Sequence, residues 1–334
     1  LAAAVAALGA TTDPNPGLLG EIGFERVHLP PGLELDAARQ ALLDAGVVES
    51  AEPDYLLDVE KDANDPSYGA LWGLQKIAAP AAWEQGVGSS AIVVAVLDTG
   101  VDRTHADLTA NLWQSLGEQP GNGVDDDGNG LIDDVAGWDF ANGDADPSDD
   151  HGHGTHVSGT IGAVGDNSQA VVGVSWKVTL LPIKVCKPTG CQTTHLAEGL
   201  LLAAKNGARV ANASLGGFHA PLSYEAAAIA SFEKAGGLLV AAAGNSATNI
   251  DDKPFYPASY PAPNVVAVAA TDQNDALASF SNFGVKSVHV AAPGVGIVST
   301  VPGGTQSMSG TSMAAPHVAG AAALWLAKSP AATP

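Results

Sequence analysis

From about residue 72 onward, short apolar runs alternate with alanine-rich stretches of helical character. The runs are AIVVAVLD, TLLPIKV, ARVANAS, GLLVAAAG and NVVAVAA. Because they are apolar at nearly every position, they predict strands that are buried on both faces. Their alternation with helices predicts the parallel sheet of an α/β protein. In such sheets functional residues lie beyond the carboxyl ends of the strands, and the sequence places Asp98 and Asn245 at two of these ends.

The first 60 residues have a different pattern. LAAAVAALGA predicts a helix that ends at Gly9, and DAARQALLDAG predicts a helix that ends at Gly46. Between them, IGFERVHL alternates apolar and polar positions, as a half-buried strand does. The polar stretch DVEKDANDPSYG is typical of a linker. We therefore predict a small α+β domain over 1–60, a linker over 61–71 and the main domain over 72–334.

Composition narrows the possible partners. Of the 334 residues 46% are hydrophobic, which is enough for a large core. The 36 Asp and Glu against 14 Lys and Arg give a net charge of −22, which argues against nucleic acid and anionic membranes as partners. No run reaches the roughly 18 apolar residues of a membrane helix. The charge favours cations as partners, although an acidic surface kept for solubility would account for part of it.

The two cysteines, Cys186 and Cys191, flank a proline and a glycine in KVCKPTGCQT. We predict that they form a small disulfide loop, which is typical of proteins in oxidising compartments. Two thiols alone make a poor metal site, and neither lies in the sequence setting of a catalytic cysteine. Because the predicted disulfide is typical of oxidising compartments, we expect the chain to be secreted.

The segment DDHGHGTHVSGT places His151, His153 and His156 close together, which raises a metal hypothesis and a catalytic one. A helical zinc site usually has the pattern HExxH, whereas His153 and His156 are three apart with no Glu between them. The catalytic hypothesis needs a nucleophile, and Ser312 begins a run of small residues that predicts a buried helix with its positive end nearby. It also needs a carboxylate, and Asp98 ends a buried strand, where a charge is costly without a partner. The order of these three residues is one of the few in which a Ser-His-Asp triad occurs.

Five motifs carry a family resemblance: VAVLDTGVD, HGTHVSGT, SLGG, AAAGN and GTSMAAPHVAG occur in this order. From about residue 72 the chain resembles the subtilisin-family (subtilase) serine proteases, in particular the thermitase-like branch. The resemblance implies a subtilisin-like three-layer α/β fold with a mainly parallel sheet, and the activity of a serine endopeptidase. Ser312 would be the nucleophile, and His153 the general base that Asp98 orients. Asn245 would stabilise the oxyanion.

The resemblance also implies how a polypeptide substrate binds. Ser214, Leu215 and Gly216 match the strand edge that pairs with an extended substrate, a mode that gives broad specificity. Phe255 falls where the family has the floor of its primary specificity pocket, and a bulky apolar floor would disfavour Lys or Arg there. The two other histidines are then a structural residue, His156, and an extra loop residue, His151.

An acidic loop, DDDGNGLIDD, resembles the start of an EF-hand. Asp125, Asp127 and Asn129 have the spacing 1, 3, 5, followed by a glycine at position 6. The glutamate expected at position 12 is missing, and Asp133 and Asp134 are the candidate replacements. We predict a calcium site, with a solvated acidic loop as the alternative.

Two further clusters match calcium loops of the thermitase-like branch. Hard oxygen ligands on loops fit calcium better than magnesium or zinc. One cluster comprises Asp139, Asn142, Asp144 and Asp146. The other combines Asp65, Asp107 and Asn167 with the carbonyl groups of Val164, Gln169 and Val171.

Residues 1–60 resemble the family's inhibitory prodomain, including the signature VVESAEPDY. Compared with the family, the chain lacks the first prodomain strand and a helix and strand at its end, so it looks truncated at both ends. We therefore predict a secreted, calcium-stabilised serine endopeptidase, a monomer made as a zymogen that its own prodomain inhibits. It would cut itself at about Glu60–Lys61. The alternatives are a catalytically silent calcium-binding or peptide-binding protein on the same fold, which should lack a triad member, and a zinc hydrolase, which chelators would distinguish.

Overall fold

The computed structural model describes residues 1–15, 17–55 and 62–333, and the chain forms two compact units, Leu1–Val59 and Glu60–Pro334. The elements of the first unit are α1 (Ala2–Ala7), β1 (Thr11–Thr12), α2 (Gly17–Glu21), β2 (Val27–His28) and α3 (Leu35–Asp44). The two helices predicted here are confirmed as α1 and α3. The strand predicted over IGFERVHL is confined to β2, because its antiparallel partner β1 offers only two residues for pairing.

The second unit alternates helices and strands. Its elements are α4 (Trp72–Lys76), α5 (Ala79–Trp83), β3 (Gly88–Asp98), β4 (Trp138–Asp139), α6 (His153–Gly162), β5 (Lys177–Lys184), β6 (Cys186–Lys187), β7 (Gly190–Cys191), α7 (Thr193–Lys205), β8 (Val210–Ala213), α8 (Ser223–Lys234), β9 (Leu238–Ala242), β10 (Val265–Thr271), β11 (Val290–Pro293), β12 (Ile297–Val301), β13 (Gly304–Met308) and α9 (Thr311–Lys328).

Among the described residues, seven strands form one parallel sheet in the order β11-β10-β9-β8-β3-β5-β4. The five apolar runs of the sequence are β3, β5, β8, β9 and β10, so the predicted parallel sheet is confirmed. The central strand β3 pairs with β5 on one side and β8 on the other, and its last residue, Asp98, lies beside Lys184.

Helices cover both faces of this sheet. Val94 and Val96 of β3 pack in one buried cluster with side chains of α6 and α9. Ala95 and Leu97 point to the opposite face and pack with α7 and α8, as the period of two in a strand requires. Each large aliphatic side chain buried in this way stabilises the fold by about 1.5–3 kcal/mol. None of the helices in the described part of the chain has the length and hydrophobicity that crossing a bilayer requires.

The carboxyl ends of the strands bring the predicted catalytic residues to one edge of the sheet. Asp98 ends β3, Ser214 follows β8, and Asn245 lies three residues beyond β9. Two helices begin at the same edge: His153 is the first residue of α6, and Ser312 is the second residue of α9. The three-layer α/β fold is therefore the one predicted, and it explains why residues far apart in sequence meet.

Candidate active site

His153 and Asp98 form a direct hydrogen bond. Nδ1 of His153 donates to Oδ1 of Asp98 at 2.7 Å, and the backbone N–H of Thr99 donates to the same oxygen at 2.8 Å. Asp98 is buried, and its Oδ2 has no hydrogen-bond partner among the described residues. The approach of α6 to β3 depends on Gly154, because a Cβ there would lie 2.1 Å from the carbonyl oxygen of Gly100.

The charges around His153 favour its protonated form. Burial lowers the pKa of His153, but the adjacent negative charge and hydrogen bond of Asp98, with the charge of Asp149, outweigh burial and raise it above its ordinary value. An imidazole with a raised pKa is a stronger base. It can therefore hold a proton that it takes from a neighbouring hydroxyl.

Asp149 is a residue that the sequence reasoning missed. Its carboxylate accepts hydrogen bonds from Thr99 Oγ1 at 2.8 Å, from Thr155 Oγ1 at 2.6 Å, and from the N–H groups of His151, Gly152 and Thr155. Burial raises its pKa, but these hydrogen bonds outweigh burial and lower it. Asp149 thus ties the end of β3 to the start of α6. An acid just before a predicted helix is the signal that could have identified it.

Ser312 and Asn245 lie at the start of α9. The Ser312 hydroxyl donates to the carbonyl oxygen of Ser214 at 3.0 Å, and in the described part of the chain no hydrogen bond joins it to His153. Catalytic hydrogen bonds are often loose in unliganded enzymes and tighten with substrate. Oδ1 of Asn245 accepts from the N–H and the hydroxyl of Thr311. This arrangement leaves the Asn245 Nδ2 group oriented as a donor.

Two N–H groups lie close to one point beside Gly310. A Cβ built on Gly310 would lie 3.5 Å from Nδ2 of Asn245 and 3.6 Å from the backbone nitrogen of Ser312. Two preoriented N–H donors that point to one volume can stabilise an oxygen that becomes negatively charged.

The other two histidines do not join this site. His156 is buried, with Nε2 2.9 Å from the Ile297 carbonyl oxygen, and burial lowers its pKa to about 4. His151 is exposed, and its ring is 6.3 Å from that of His153. A metal site requires several acid, His or Cys side chains close together. Among the described residues, the side chains that meet this condition include no histidine. The metal hypothesis for these histidines therefore finds no support.

A cleft of about 430 Å³ extends from His153 along the predicted substrate edge. Residues that line it include Asp98, His153, Cys186, Leu215, Glu225 and Tyr256. The hairpin of β6 and β7 is part of the lining, and it contains the predicted disulfide between Cys186 and Cys191.

Phe255 packs beside the predicted substrate edge. A Cβ on Gly216 would lie 2.4 Å from its ring, and one on Gly244 would lie 2.9 Å from it. The Phe218 ring packs edge-on against Phe255 with centroids 5.1 Å apart. Phe255 therefore fills the space between the substrate edge and the segment that leads to Asn245.

Comparison with known proteins gives the family. Residues 89–334 match the model of the Subtilase family (peptidase S8). The chain belongs to the subtilase family. It is accordingly a serine endopeptidase, a class of enzyme that acts on polypeptides.

The relatives of this subtilase are proteases. It is 40% identical to the thermophilic serine proteinase of Bacillus sp. (strain AK1), over 87% of this chain and 66% of that protein. It is 41% identical to thermitase of Thermoactinomyces vulgaris, over 78% of this chain and 84% of thermitase. It is also 41% identical to subtilisin Savinase of Lederbergia lenta, over 78% of this chain and 85% of that protein. The chain thus spans just under two thirds of the thermophilic proteinase. A solved protease structure from Pseudoalteromonas arctica matches with a TM-score of 0.69 and 31% identity, over 82% of this chain and 89% of that one.

The EF-hand-like loop of this subtilase gathers three carboxylates. Ligand atoms of Glu118, Asp125 and Asp127 lie within 4.8 Å of one another. Glu118 was missed from the sequence, because it precedes the EF-hand-like spacing. It is buried, and its Oε2 has no partner within the described residues.

The other predicted residues of this loop divide into two groups. Asp134 is fully buried and accepts from Nδ2 of Asn129 at 3.0 Å, and burial raises its pKa to about 6. Asp133 faces elsewhere, since its carboxylate accepts from the N–H groups of Asn122 and Gly123. Asp134 therefore adds to the acidic cluster, whereas Asp133 stabilises a neighbouring turn.

Asp65 and Asp107 lie together beneath the loop 164–171. Oδ2 of Asp107 accepts from the N–H of Val171 at 2.9 Å, and Oδ1 accepts from Nδ2 of Asn167. Both acids are buried; burial and the Asp107 charge raise the pKa of Asp65. In this loop, the N–H of Val164 donates to the Asp107 carbonyl, and that of Gln169 donates to Asn167 Oδ1. The structure thus joins Asp107 to Asn167, Val164 and Val171 and places Asp65 near Asp107, and the calcium site itself stays a prediction.

The third cluster does not converge. Asn142 donates to both oxygens of Asp139 at 2.8 and 2.7 Å. Oδ1 of Asp144 accepts from the N–H of Asp146, and the Asp146 carboxylate lies 3.5 Å from a guanidinium nitrogen of Arg103. These carboxylates therefore have partners within the protein, and among the described residues no three acids of this cluster lie as close together as Glu118, Asp125 and Asp127 do, so a calcium site here stays a prediction.

Proposed function

We propose that Ser312, His153 and Asp98 hydrolyse peptide bonds through an acyl-enzyme. The Ser312 oxygen attacks the carbonyl carbon while Nε2 of His153 takes the hydroxyl proton. Asp98 keeps the other proton on Nδ1, so that Nε2 is the free base. The observation that carries the proposal is the 2.7 Å hydrogen bond from His153 to Asp98 beside the start of α9. The hydrogen bond between Ser312 and His153 would form when substrate binds, since catalytic hydrogen bonds are often loose in unliganded enzymes.

Asn245 and the Ser312 backbone N–H would stabilise the tetrahedral intermediate. Their positions support this role, because Nδ2 of Asn245 and the Ser312 backbone nitrogen both lie within 3.6 Å of one point beside Gly310. His153 then returns its proton to the leaving amine. In the second half of the cycle a water molecule attacks the ester, with His153 again as the base.

The substrate would bind as an extra strand. The free edge of Ser214, Leu215 and Gly216 offers main-chain hydrogen bonds that do not depend on side-chain identity. Phe255 would end the primary pocket, and its apolar ring offers no partner to the charge of a Lys or Arg. Broad specificity, with Lys and Arg disfavoured just before the scissile bond, is the expected result.

Calcium would stabilise the fold at two places. Glu118, Asp125 and Asp127, with Asp134 nearby, form one set, and Asp65 and Asp107 with the loop 164–171 form the other. Both sets are hard oxygen donors, and each includes a buried carboxylate oxygen without a partner among the described residues. A bound calcium ion would supply the positive charge that offsets the mutual repulsion of these carboxylates.

The enzyme would be secreted as a self-processing zymogen. The disulfide supports an oxidising compartment, and residues 1–60 would act as the inhibitory prodomain. The proposed scissile bond, Glu60–Lys61, lies outside the described residues. The prodomain and processing proposals rest on the family resemblance of the sequence.

A serine-directed phosphonyl or sulfonyl reagent tests this function. We expect one covalent adduct on the full chain, located on Ser312 by peptide mass mapping. His153→Ala should label far more slowly, because the base that activates the hydroxyl is gone. Labelling spread over several serines, or none at all, would contradict the proposal.

A further inference from the structure

A buried acid lies in the same cleft as the catalytic histidine and has no part in the chemistry above. Glu225 of α8 is 1% exposed and lines the cavity that also contacts His153. Its Oε2 accepts a hydrogen bond from the hydroxyl of Tyr260 at 2.6 Å, but its Oε1 has no partner among the described residues. A buried carboxylate oxygen without a partner is costly. A group that enters the cleft could remove this cost.

The charged groups around Glu225 do not donate a hydrogen bond to its Oε1 in the described structure. In the described part of the chain, one basic side chain lies within 4 Å of the Glu225 carboxylate. It is His219, whose Nε2 is 3.9 Å from Oε2 of Glu225. Nδ1 of His219 lies 2.8 Å from the carbonyl oxygen of Ala220 and therefore carries a proton. In the neutral ring Nε2 then has no hydrogen to donate. Lys187 also lines the cavity, but no ion pair joins it to Glu225 in the described structure.

The substrate edge fixes how far Glu225 lies from the scissile bond. The edge begins at Ser214, whose carbonyl oxygen accepts from the Ser312 hydroxyl. Three residues later, Gly217 pairs with Tyr256 by two backbone hydrogen bonds of 2.8 and 2.9 Å. Tyr256 in turn packs against His219, the neighbour of Glu225. Three residues of extended chain span roughly 10 Å.

A substrate strand along this edge has the same rise per residue. When the substrate residue just before the scissile bond lies at Ser312, the fourth substrate residue before that bond lies at Gly217. Alternate side chains of an extended chain share one face. The second and fourth side chains therefore lie on the same face, and the fourth falls at the end of the cleft that Glu225 occupies.

We propose that Glu225 selects substrates with a lysine or arginine at the fourth position upstream of the scissile bond. This inference rests on the proposed proteolytic function. An ammonium or guanidinium group would donate to Oε1, and charge-assisted hydrogen bonds are the strong ones.

Matched peptides test the proposal on the full chain, with active enzyme counted by titration with the serine-directed reagent. The peptides differ only at the fourth upstream position, which is Lys, norleucine or Glu. We expect kcat/KM to be about tenfold or more higher for Lys than for norleucine, and lowest for Glu. Glu225→Gln should reduce kcat/KM of the Lys peptide to that of the norleucine peptide, and should leave kcat/KM of the norleucine peptide unchanged. A peptide with Lys at the third position is the control and should gain nothing.

Equal rates for Lys and norleucine in the wild type would overturn the proposal, whatever the folding of the variant. A Lys preference that survives in Glu225→Gln with an unchanged melting temperature would also overturn it. If the reagent labels Ser312 and the peptides are cut without preference, this inference fails and the protease function stands. If the reagent does not label Ser312, the proposed function itself fails.

Discussion

Oδ1 of Asn245 accepts hydrogen bonds from both the backbone N–H and the hydroxyl of Thr311, at 2.8 and 2.9 Å. The Thr311 hydroxyl oxygen also accepts from the N–H of Gly244 at 3.0 Å. The residue directly before Ser312, the proposed nucleophile, therefore sets the orientation of the Asn245 amide. Because this network exists without substrate, the donor is already placed when negative charge develops.

Replacing Asn245 by leucine should lower kcat about 10²–10³-fold with little change in KM, which is the loss measured when such a donor is removed from subtilisin, a member of the same family. Thr311→Val should cause a smaller loss, because the backbone N–H still holds Oδ1. Steady-state kinetics on one peptide checks both, with Ser309→Ala as the nearby control. A raised KM at constant kcat would contradict the assigned role, because it would indicate lost ground-state binding.

The pH dependence of activity should report the raised pKa of His153. Catalysis needs neutral His153, so a raised pKa places the acidic limb of kcat/KM above pH 6.5, the ordinary pKa of a histidine. Asp149→Asn removes one of the two charges that raise this pKa, and the limb should move to lower pH. Glu198→Gln, an exposed change on α7, is the control. A limb that moves to higher pH in Asp149→Asn would have the wrong sign for this account.

Calcium should raise the melting temperature, because a ligand that binds only the folded state stabilises it by mass action. Glu118→Gln should reduce this shift, since it removes a carboxylate from the converging set. Differential scanning calorimetry with calcium and with chelator measures both.

Asp133→Asn is the matched control for calcium binding. It lies in the same loop, but its carboxylate accepts from backbone N–H groups instead of joining the cluster. It should keep the calcium-dependent shift. An unchanged unfolding curve in excess chelator would rule out calcium stabilisation.

The chain should cut itself within about two residues of Glu60–Lys61, between the proposed prodomain and the subtilase domain. N-terminal sequencing of the wild type and of Ser312→Ala, made in a protease-deficient host, checks this. We expect the new N-terminus only in the wild type. The same cut in both proteins would show that another protease does the processing.

The sheet could be predicted from the sequence because its central strands are buried on both faces. A run such as AIVVAVLD has no polar position before Asp98, and this pattern fits few structures other than a central parallel strand. The histidine, serine and aspartate were predicted for a related reason, since each lies at the end of a strand or the start of a helix that its own sequence defines. Their meeting follows from the topology.

Glu118, Asp149 and Glu225 could not be found in the same way. Each acquires its importance from tertiary neighbours: Glu118 from a loop that folds back on it, Asp149 from the joint between β3 and α6, and Glu225 from Tyr260 and the cleft. A local pattern does not contain such contacts. Sequence spacing likewise could not show that Asn142 contacts Asp139 and that Arg103 contacts Asp146 within the predicted cluster of Asp139 to Asp146.

The most direct test of the central claim is kcat/KM of Ser312→Ala on a peptide substrate, compared with wild type at equal concentration. The change removes one hydroxyl at the start of α9, so the far-UV circular dichroism and melting temperature should stay close to those of the wild type. Ser309→Ala should keep full activity. We predict a loss of about 10⁴-fold or more, since only the oxyanion donors and substrate binding remain. Substantial hydrolysis by the pure, folded Ser312→Ala protein would contradict the account.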